Sequence, residues 1–242
     1  MTTTATAYPD QLTLPGQAAA PGGPVDMTMM YLMHHAFRRD LRRFDEAVAA
    51  TPVDDRSTWQ ALAERWDRFF VILHHHHTGE DAGIWPFLLD RADAEERGHL
   101  EAMEEEHSHI DPLLTSVATG FEALGRGALP RNPETVRAAL HARIEDTREA
   151  LGRHLAHEET DAMAILQRHM TPTDWERIEQ VHFKADEHPV ALSFMVPWLA
   201  EGVPTAGLDE VFSGRGQAFR VLWWLTRGGY RRSEQRAFRY AS

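Results

Sequence analysis

The sequence predicts an all-α protein with four long helices followed by a helical extension. In four successive stretches, apolar residues recur every three or four positions, the period of an α-helix. Pro, Gly and Asn mark breaks between these stretches, at Thr51-Pro52 and over residues 125–132. Each apolar stripe also contains one histidine. We therefore divide the chain into a disordered N-terminal arm (residues 1–24), a helical domain (residues 25–170) and a C-terminal extension (residues 171–242).

The composition narrows the class of protein. The chain has 242 residues, of which 43% are hydrophobic and 26% charged, as in a soluble globular protein. It has no Cys, which excludes disulfides, thiolate ligands and cysteine nucleophiles and fits a cytoplasmic location. The net charge of −12 argues against nucleic-acid binding by the protein as a whole. No apolar run reaches the ~18–20 residues of a membrane span, and no signal-peptide pattern is present, so we expect no membrane partner.

The first two helices each place a histidine on the apolar face. The first begins near Val25, and its stripe includes His34. The stripe of the second advances to His76 and then to Glu80. Residues four apart on a helix have Cβ atoms about 5–6 Å apart, so this pair can serve one metal ion. His77 and Asp81 form an alternative pair one residue further around the helix, and a solvated surface patch is the other interpretation of the run His74–His77.

The third and fourth helices repeat the pattern. The third, over residues 94–124, has His107 on its stripe, with Asp111 four residues later and able to reach the same centre. We interpret the adjacent run Glu104–Glu106 as a solvated face, with Glu104 as an outside candidate for the same centre as His107. The fourth begins at Pro133 and carries His154 and Glu158 on its apolar face.

A shared metal centre explains these positions together. A single inward histidine is more often a hydrogen-bonded core residue, but one per helix is not expected from independent core histidines. Buried ionisable groups are costly unless they are paired or bind metal. Imidazole and carboxylate without sulfur suit Fe, Mn or Zn. The chain has neither the Glu-x-x-His pattern of ferritin-like bundles nor the His-Glu-x-x-His pattern of zincins.

These motifs resemble the hemerythrin-like, or HHE cation-binding, family. The likeness spans roughly residues 25–170. It depends on His34 with Ala36-Phe37-Arg38-Arg39-Asp40-Leu41, on His76-His77-x-x-Glu80-Asp81 with Trp85-Pro86, on Glu106-His107, and on His154-Leu155-x-x-Glu158-Glu159. The resemblance implies an up-and-down four-helix bundle around two non-haem iron ions. It also implies histidine ligands and bridging glutamates, namely His34, His76, His107, His154, Glu80 and Glu158.

One departure from the family pattern affects the expected function. Oxygen-carrying members have His-x3-His on the third helix, where this chain has His107-x-x-x-Asp111. Either Asp111 substitutes for the missing histidine, or one iron has a more open coordination sphere. Redox turnover is therefore expected in place of reversible oxygen carriage.

Two functions follow from the resemblance. The first is a peroxide-consuming di-iron oxidoreductase, acting on H2O2 or O2 in oxidative stress, with its ligands oriented by nearby polar groups, namely His77, Asp81, His157 and Glu159. The second is a non-catalytic module that binds or senses O2, NO or iron and signals through the extension. A structural helical protein with incidental histidines is a third interpretation.

The end of the chain is basic. Residues 214–242 hold seven Arg and one acid, Glu234, a charge of +6 that leaves −18 for the rest of the chain. Such a segment either folds back on the acidic helical domain or offers a patch to a protein partner or to nucleic acid. Trp223, Trp224 and Tyr230 add apolar surface that can cover the end of the bundle or form a homodimer contact.

Overall fold

The computed structural model describes residues 8, 10–126, 131–183, 190–215 and 217–241. Over these residues the chain is helical and has no β-strand, which confirms the predicted all-α class. The α-helices in chain order are α1 (Thr28–Ala50), α2 (Arg56–Gly79), α3 (Trp85–Leu89), α4 (Ala94–Gly125), α5 (Pro133–His157), α6 (Met163–His169), α7 (Pro172–Ile178), α8 (Leu192–Ala200), α9 (Thr205–Arg215) and α10 (Gln217–Ala237). Among the described helices, none combines the length and apolar character needed to cross a membrane.

The four long helices pack around one core. α2 packs against α4, α4 against α5, and α5 against α1. A layer of buried aromatic rings lies between them, with Phe44 5.0 Å from Trp66 and 5.6 Å from Phe121, centroid to centroid. The stripe on α2 that contributes Trp66 and Phe69 continues two turns later to His76, which is 1% exposed. The aromatic layer thus fixes the helix that carries the first candidate ligands.

Two of the long helices widen into π-helical turns beside the candidate ligands. α2 is followed by the turn Glu80–Ile84, and α5 by the turn Glu158–Ala162. In both, the N–H of the glutamate is shared between the carbonyls three and four residues earlier. A π turn accommodates one extra residue and rotates the side chains that follow it. The last such turn, Glu179–Phe183, follows α7.

Part of the N-terminal segment is packed against the helical domain. Residues 10–24 have no helix, yet Leu12 and Leu14 are buried, and the backbone N–H of Ala18 donates to Oε2 of Glu159 at 2.7 Å. Two apolar side chains of this segment are therefore removed from solvent, near Gly207 of α9, and one of its backbone donors is paired with a glutamate of the domain. Residues 1–7 and 9 lie outside the described residues, and for them disorder stays a prediction.

A buried ion-pair network joins the extension to α1 and α2. We use this name for Arg39, Asp40, Arg43, Arg65 and Glu234. Asp40 accepts hydrogen bonds from Arg39 at 2.8 Å, from Nε1 of Trp198 at 2.7 Å and from Arg65. Glu234 of α10 accepts from Arg65 and Arg43, both at 2.7 Å.

The charges of the tail meet opposite charges on the helical domain. Nη2 of Arg236 lies 3.1 Å from Oε2 of Glu64, and Nη1 of Arg239 lies 3.9 Å from Oδ2 of Asp55. Glu234, the one acid of the basic segment, is buried between two arginines of α1 and α2. These contacts are those of a tail that folds back on the domain.

Candidate metal centre

The candidate ligands form two adjacent groups in the core. In the first group, one ligand atom from each of four residues lies within 4.8 Å of the others, the residues being His34, His76, Glu80 and Glu158. In the second group, the same holds for three histidines, namely His77, His107 and His154. All seven residues are at most 3% exposed. The two groups therefore bring together side chains from α1, α2, α4, α5 and both π turns.

The two glutamates lie between the groups. Oε1 of Glu80 is 3.1 Å from Nε2 of His76, and its Oε2 is 3.5 Å from Nε2 of His107. Oε2 of Glu158 is 3.2 Å from Nε2 of His34 and 3.8 Å from Nε2 of His154. Each carboxylate thus contacts one imidazole of each group, as a carboxylate shared by two cations would.

Ligand atoms at the centre lack hydrogen-bond partners. Both oxygens of Glu80 and of Glu158, both ring nitrogens of His77, and Nε2 of His34 and His76 are buried without one. A buried polar atom left without a partner costs about 1–3 kcal/mol. One imidazole presents a single nitrogen to the cluster, and Nδ1 of His77 lies toward Asp111, so at most seven of these atoms face the centre. Cations between them would act as their partners.

Electrostatics also indicate a site for positive charge. Burial, and next the charge of Glu158, raise the pKa of Glu80 well above its ordinary value. Burial alone would also raise the pKa of Glu158, but nearby imidazoles, His34 first, lower it to about 2. For His34 burial acts to lower the pKa, yet Glu158 and Glu159 raise it to about 9. The mutual repulsion of two buried carboxylates is relieved when a cation lies between them.

Carboxylates on the far side of the imidazoles fix the ring orientations. Nδ1 of His107 donates to Asp81 at 2.7 Å, and Nδ1 of His154 donates to Glu106 at 2.8 Å. Nδ1 of His34 donates to Glu159 at 3.0 Å. Metal-binding histidines usually donate their other N–H in this way, which leaves Nε2 free to bind the metal.

Glu159 is itself held in place from two directions. Arg38 donates to both of its oxygens, at 2.7 and 2.9 Å, and the backbone N–H of Ala18 completes the set. Glu158 and Glu159 are adjacent, and both are fully buried. The π turn lets two consecutive carboxylates face the core from one helix.

The structure places the three additional candidate ligands, His77, Asp81 and Asp111, in different positions relative to the centre. His77 lies in the second group, with its ring stacked 3.9 Å from that of His107. Asp81 lies on the far nitrogen of His107 and belongs to neither group. Asp111 also lies outside both groups, because its half-exposed carboxylate is 4.0 Å from Nδ1 of His77 and 3.4 Å from Nδ1 of His74. The fifth imidazole of the cluster is thus His77 of α2. The position four residues after His107 on α4, where oxygen-carrying members of the family have a histidine, holds Asp111.

Sequence reasoning missed two residues near the centre. Glu106 was interpreted as part of a solvated run, yet it accepts hydrogen bonds from both His154 and His157, the latter at 2.9 Å. Its position directly before His107 was the available signal. The hydroxyl of Tyr31 is also buried without a partner. Burial, followed by the charges of Glu159 and Glu158, raises the pKa of Tyr31.

Comparison with known proteins gives one match. The family model described as the hemerythrin HHE cation-binding domain matches residues 26–166, more than half of the chain. No curated protein and no solved structure shows a significant match to the chain.

Proposed function

Because the chain belongs to the hemerythrin HHE cation-binding family, we propose that its buried cluster holds two non-haem iron ions and reacts with peroxide or dioxygen. Membership of the family implies metal binding; the two irons, the up-and-down order of the four helices and the reaction are the finer parts of the proposal. The observation that carries it is the set of buried carboxylate and imidazole atoms that face the centre without hydrogen-bond partners. The donors are nitrogen and oxygen only, which suits iron and leaves Mn and Zn as alternatives.

Each group of residues would hold one ion. His34 and His76 belong to the first ion, and His77, His107 and His154 to the second. Glu80 and Glu158 would be shared, since each contacts an imidazole of both groups. When bound, the iron pair supplies the two electrons that reduce peroxide or dioxygen. A pair of ions about 3.5–4 Å apart is the usual arrangement for such shared sites.

The protein contributes rigid orientation and exclusion of water. Three imidazoles are fixed by hydrogen bonds to carboxylates, those of Asp81, Glu106 and Glu159. All three bonds use Nδ1, so the Nε2 atoms of these rings are directed at the cluster. Because the ligand residues are at most 3% exposed, bulk water has little access to them.

A largely apolar cavity, whose lining also includes His75 and Glu179, lies beside the centre. It has a volume of about 360 Å³ and reaches the imidazole of His76. Four methionines line it, together with aliphatic and aromatic side chains, the methionines being Met29, Met30, Met33 and Met195. An apolar lining of this kind favours small uncharged molecules and disfavours ions, which would lose their hydration. This supports dioxygen, nitric oxide or uncharged peroxides as ligands.

A sensing module is the second candidate, and a specific contact favours it. Phe37 lies 5.3 Å from the ring of His76 and 5.6 Å from the ring of Trp198, which belongs to α8 of the extension. One aromatic ring therefore separates a candidate ligand from the extension. A change in the position of His76 on ligand binding would reach α8 through this contact.

Peroxide consumption and metal content together test the proposal. We expect peroxide consumption in the wild-type protein, and in the double variant His76→Ala/His154→Ala the loss of this activity and of roughly two iron ions per chain relative to the wild type. His109→Ala, an exposed position on α4, is the control and should match the wild type. Full activity in the double variant would contradict the oxidoreductase proposal. A reversible spectral change with O2 or NO, without product, would instead support sensing.

A further inference from the structure

A second cluster of metal-binding side chains lies outside the centre. It consists of His99 on α4, His157 at the end of α5 and Asp161 in the second π turn. Nδ1 of His99 is 3.1 Å from Nε2 of His157. Oδ2 of Asp161 is 4.0 Å from the first of these atoms and 3.8 Å from the second. All three side chains are between a quarter and two fifths exposed, so the cluster meets solvent.

The spacing of these three atoms suits a transition-metal ion. The point equidistant from atoms separated by these distances lies about 2.1 Å from each of them, and zinc bonds to imidazole and carboxylate are roughly 2.0–2.2 Å long. The three atoms therefore lie at metal-ligand distance from one common point. Solvent can supply any further ligand, because the cluster is open on one side.

The orientation of His157 is that of a metal ligand. Its Nδ1 donates to Oε1 of Glu106 at 2.9 Å, so Nε2 carries the lone pair and faces His99 and Asp161. A carboxylate on the far nitrogen of an imidazole is the usual support for a ligating histidine. The other oxygen of Glu106 accepts from His154 of the centre at 2.8 Å. One carboxylate thus orients an imidazole of the centre and an imidazole of the outer cluster.

The surroundings favour a cation. The cluster borders a cavity of about 360 Å³ that is lined by carboxylates, among them Asp93, Glu95 and Glu96. The one basic lining residue, Arg168, donates to Glu96 at 2.7 and 2.9 Å. Cations that approach this opening therefore meet net negative charge before they reach the imidazoles.

We infer that His99, His157 and Asp161 form a third, solvent-accessible metal site for a divalent transition ion such as Zn²⁺ or Fe²⁺. Two imidazoles and one carboxylate suit these ions, whereas Ca²⁺ and Mg²⁺ prefer oxygen ligands alone. The competing arrangement is a plain hydrogen bond from Nδ1–H of His99 to Nε2 of His157. This third site can bind a metal ion whether or not the centre carries out the proposed reaction. The two clusters share Glu106 as a hydrogen-bond acceptor.

Metal titration of the full-length protein tests this inference. Protein stripped by chelator and titrated with Zn²⁺ should bind one ion more per chain than either His99→Ala or Asp161→Asn. His109→Ala, on the same helix, should bind as many ions as the wild type. The one-ion difference holds even if the centre binds no zinc, so failure of the proposed function would not obscure it. Equal stoichiometry in the wild type and both variants would overturn the inference.

A chemical measurement covers the case in which the variants also disturb the centre. In wild-type protein, modification of histidines by diethyl pyrocarbonate, mapped by mass spectrometry, reports which imidazoles are covered. We expect Zn²⁺ to protect His99 and to leave His109 reactive. Equal modification of His99 with and without zinc would contradict the third site.

Discussion

The protein buries two polar clusters in one core, and they differ in how their atoms are satisfied. In the ion-pair network, Asp40 accepts from Arg39, Arg65 and Trp198, and Glu234 accepts from two arginines. At the candidate centre, both oxygens of Glu80 and Glu158 lack partners. The two regions are equally buried, with Asp40, Glu80 and Glu158 all 0% exposed.

This difference shows what distinguishes a metal site from a structural network. Burial of charge occurs in both regions, and each contains acids and bases of opposite sign. In the network the charges neutralise one another through hydrogen bonds, with Nη1 of Arg65 the one buried atom of these five side chains that lacks a partner, and the cluster attaches the extension to α1 and α2. At the centre, ligand atoms remain unpaired, as expected if a bound cation completes the cluster. The comparison predicts that mutations in the network lower stability and leave metal binding unchanged. Mutations at the centre should lower metal binding, and stability only through the lost metal.

The largest effect is expected for Asp40→Asn. The substitution leaves Arg65 and Arg39 buried with reduced compensation, and breaking a buried pair costs about 3–5 kcal/mol of unfolding free energy. Urea unfolding should show this loss, while metal content per folded chain stays at the wild-type value. Asp67→Asn removes an exposed pair with Arg126 and should cost under about 1 kcal/mol. A small effect of Asp40→Asn, or loss of metal, would remove the distinction between the two regions.

Removal of metal should produce the next largest effect. Ions that bind the folded state alone stabilise it by about 2.7–4.1 kcal/mol at 100–1,000 times the dissociation constant. Chelator should therefore lower the unfolding temperature of the wild type, and readdition of iron should restore it. In the triple variant His76→Ala/His154→Ala/His99→Ala, which also lacks the outer site, the unfolding temperature should not respond to either treatment. A response in this variant equal to that of the wild type would place the stabilising ions elsewhere.

Glu106→Gln should weaken the centre without unfolding the chain. Glu106 accepts from His154 and His157, and loss of such support typically lowers metal affinity 10–100-fold. The titration is best made in the His99→Ala background, in which the outer site is absent. Glu105→Gln, an exposed neighbour, is the matched control. Equal affinity in the two variants would show that Glu106 does not support the centre.

Sequence periodicity could predict much of the centre and little of its support. The apolar stripes placed His34, His76, His107 and His154 toward the core, and all four are buried. An apolar stripe predicts only one inward face of a helix, however, and His77 lies one residue away from the stripe of α2. Its side chain reaches the second group because of how the helices pack against one another. The sequence alone could leave it only as an alternative.

The residues that orient the candidate ligands lie off the apolar stripes, and only tertiary contacts bring them to the centre. Glu106 lies in a run of three acids, and nothing in that run shows that its side chain reaches α5. The contact of Ala18 with Glu159 is made by a backbone N–H, which has no residue-specific signal. The sequence also does not predict the ion-pair network, because Asp40 and Glu234 are 194 positions apart in the chain and are joined through Arg65 only when α10 folds back.

The smallest effect concerns Glu96, a paired carboxylate near the outer cluster and separate from both buried regions. Burial acts to raise its pKa, but Arg168, the N–H of Asp93 and His169 lower it to about 2. Because the folded pKa is below the ordinary value of 4.5, the charge stabilises the protein above about pH 4.5, and this contribution is lost as the pH falls toward 2. Glu96→Gln keeps the capping geometry of α4 and should cost about 1 kcal/mol at pH 7.

Urea unfolding of wild type and Glu96→Gln between pH 7 and pH 3 measures this contribution. Both proteins have the same metal centre, so its titration cancels in the difference between their unfolding free energies. The difference should narrow steadily below pH 4.5 as the wild-type carboxylate becomes protonated. Glu101→Gln, an exposed position on the same helix, should show a small and nearly constant difference from the wild type. A gap that widens on acidification would mean that Glu96 is more basic in the folded protein than in the unfolded chain, contrary to its contacts with Arg168 and His169.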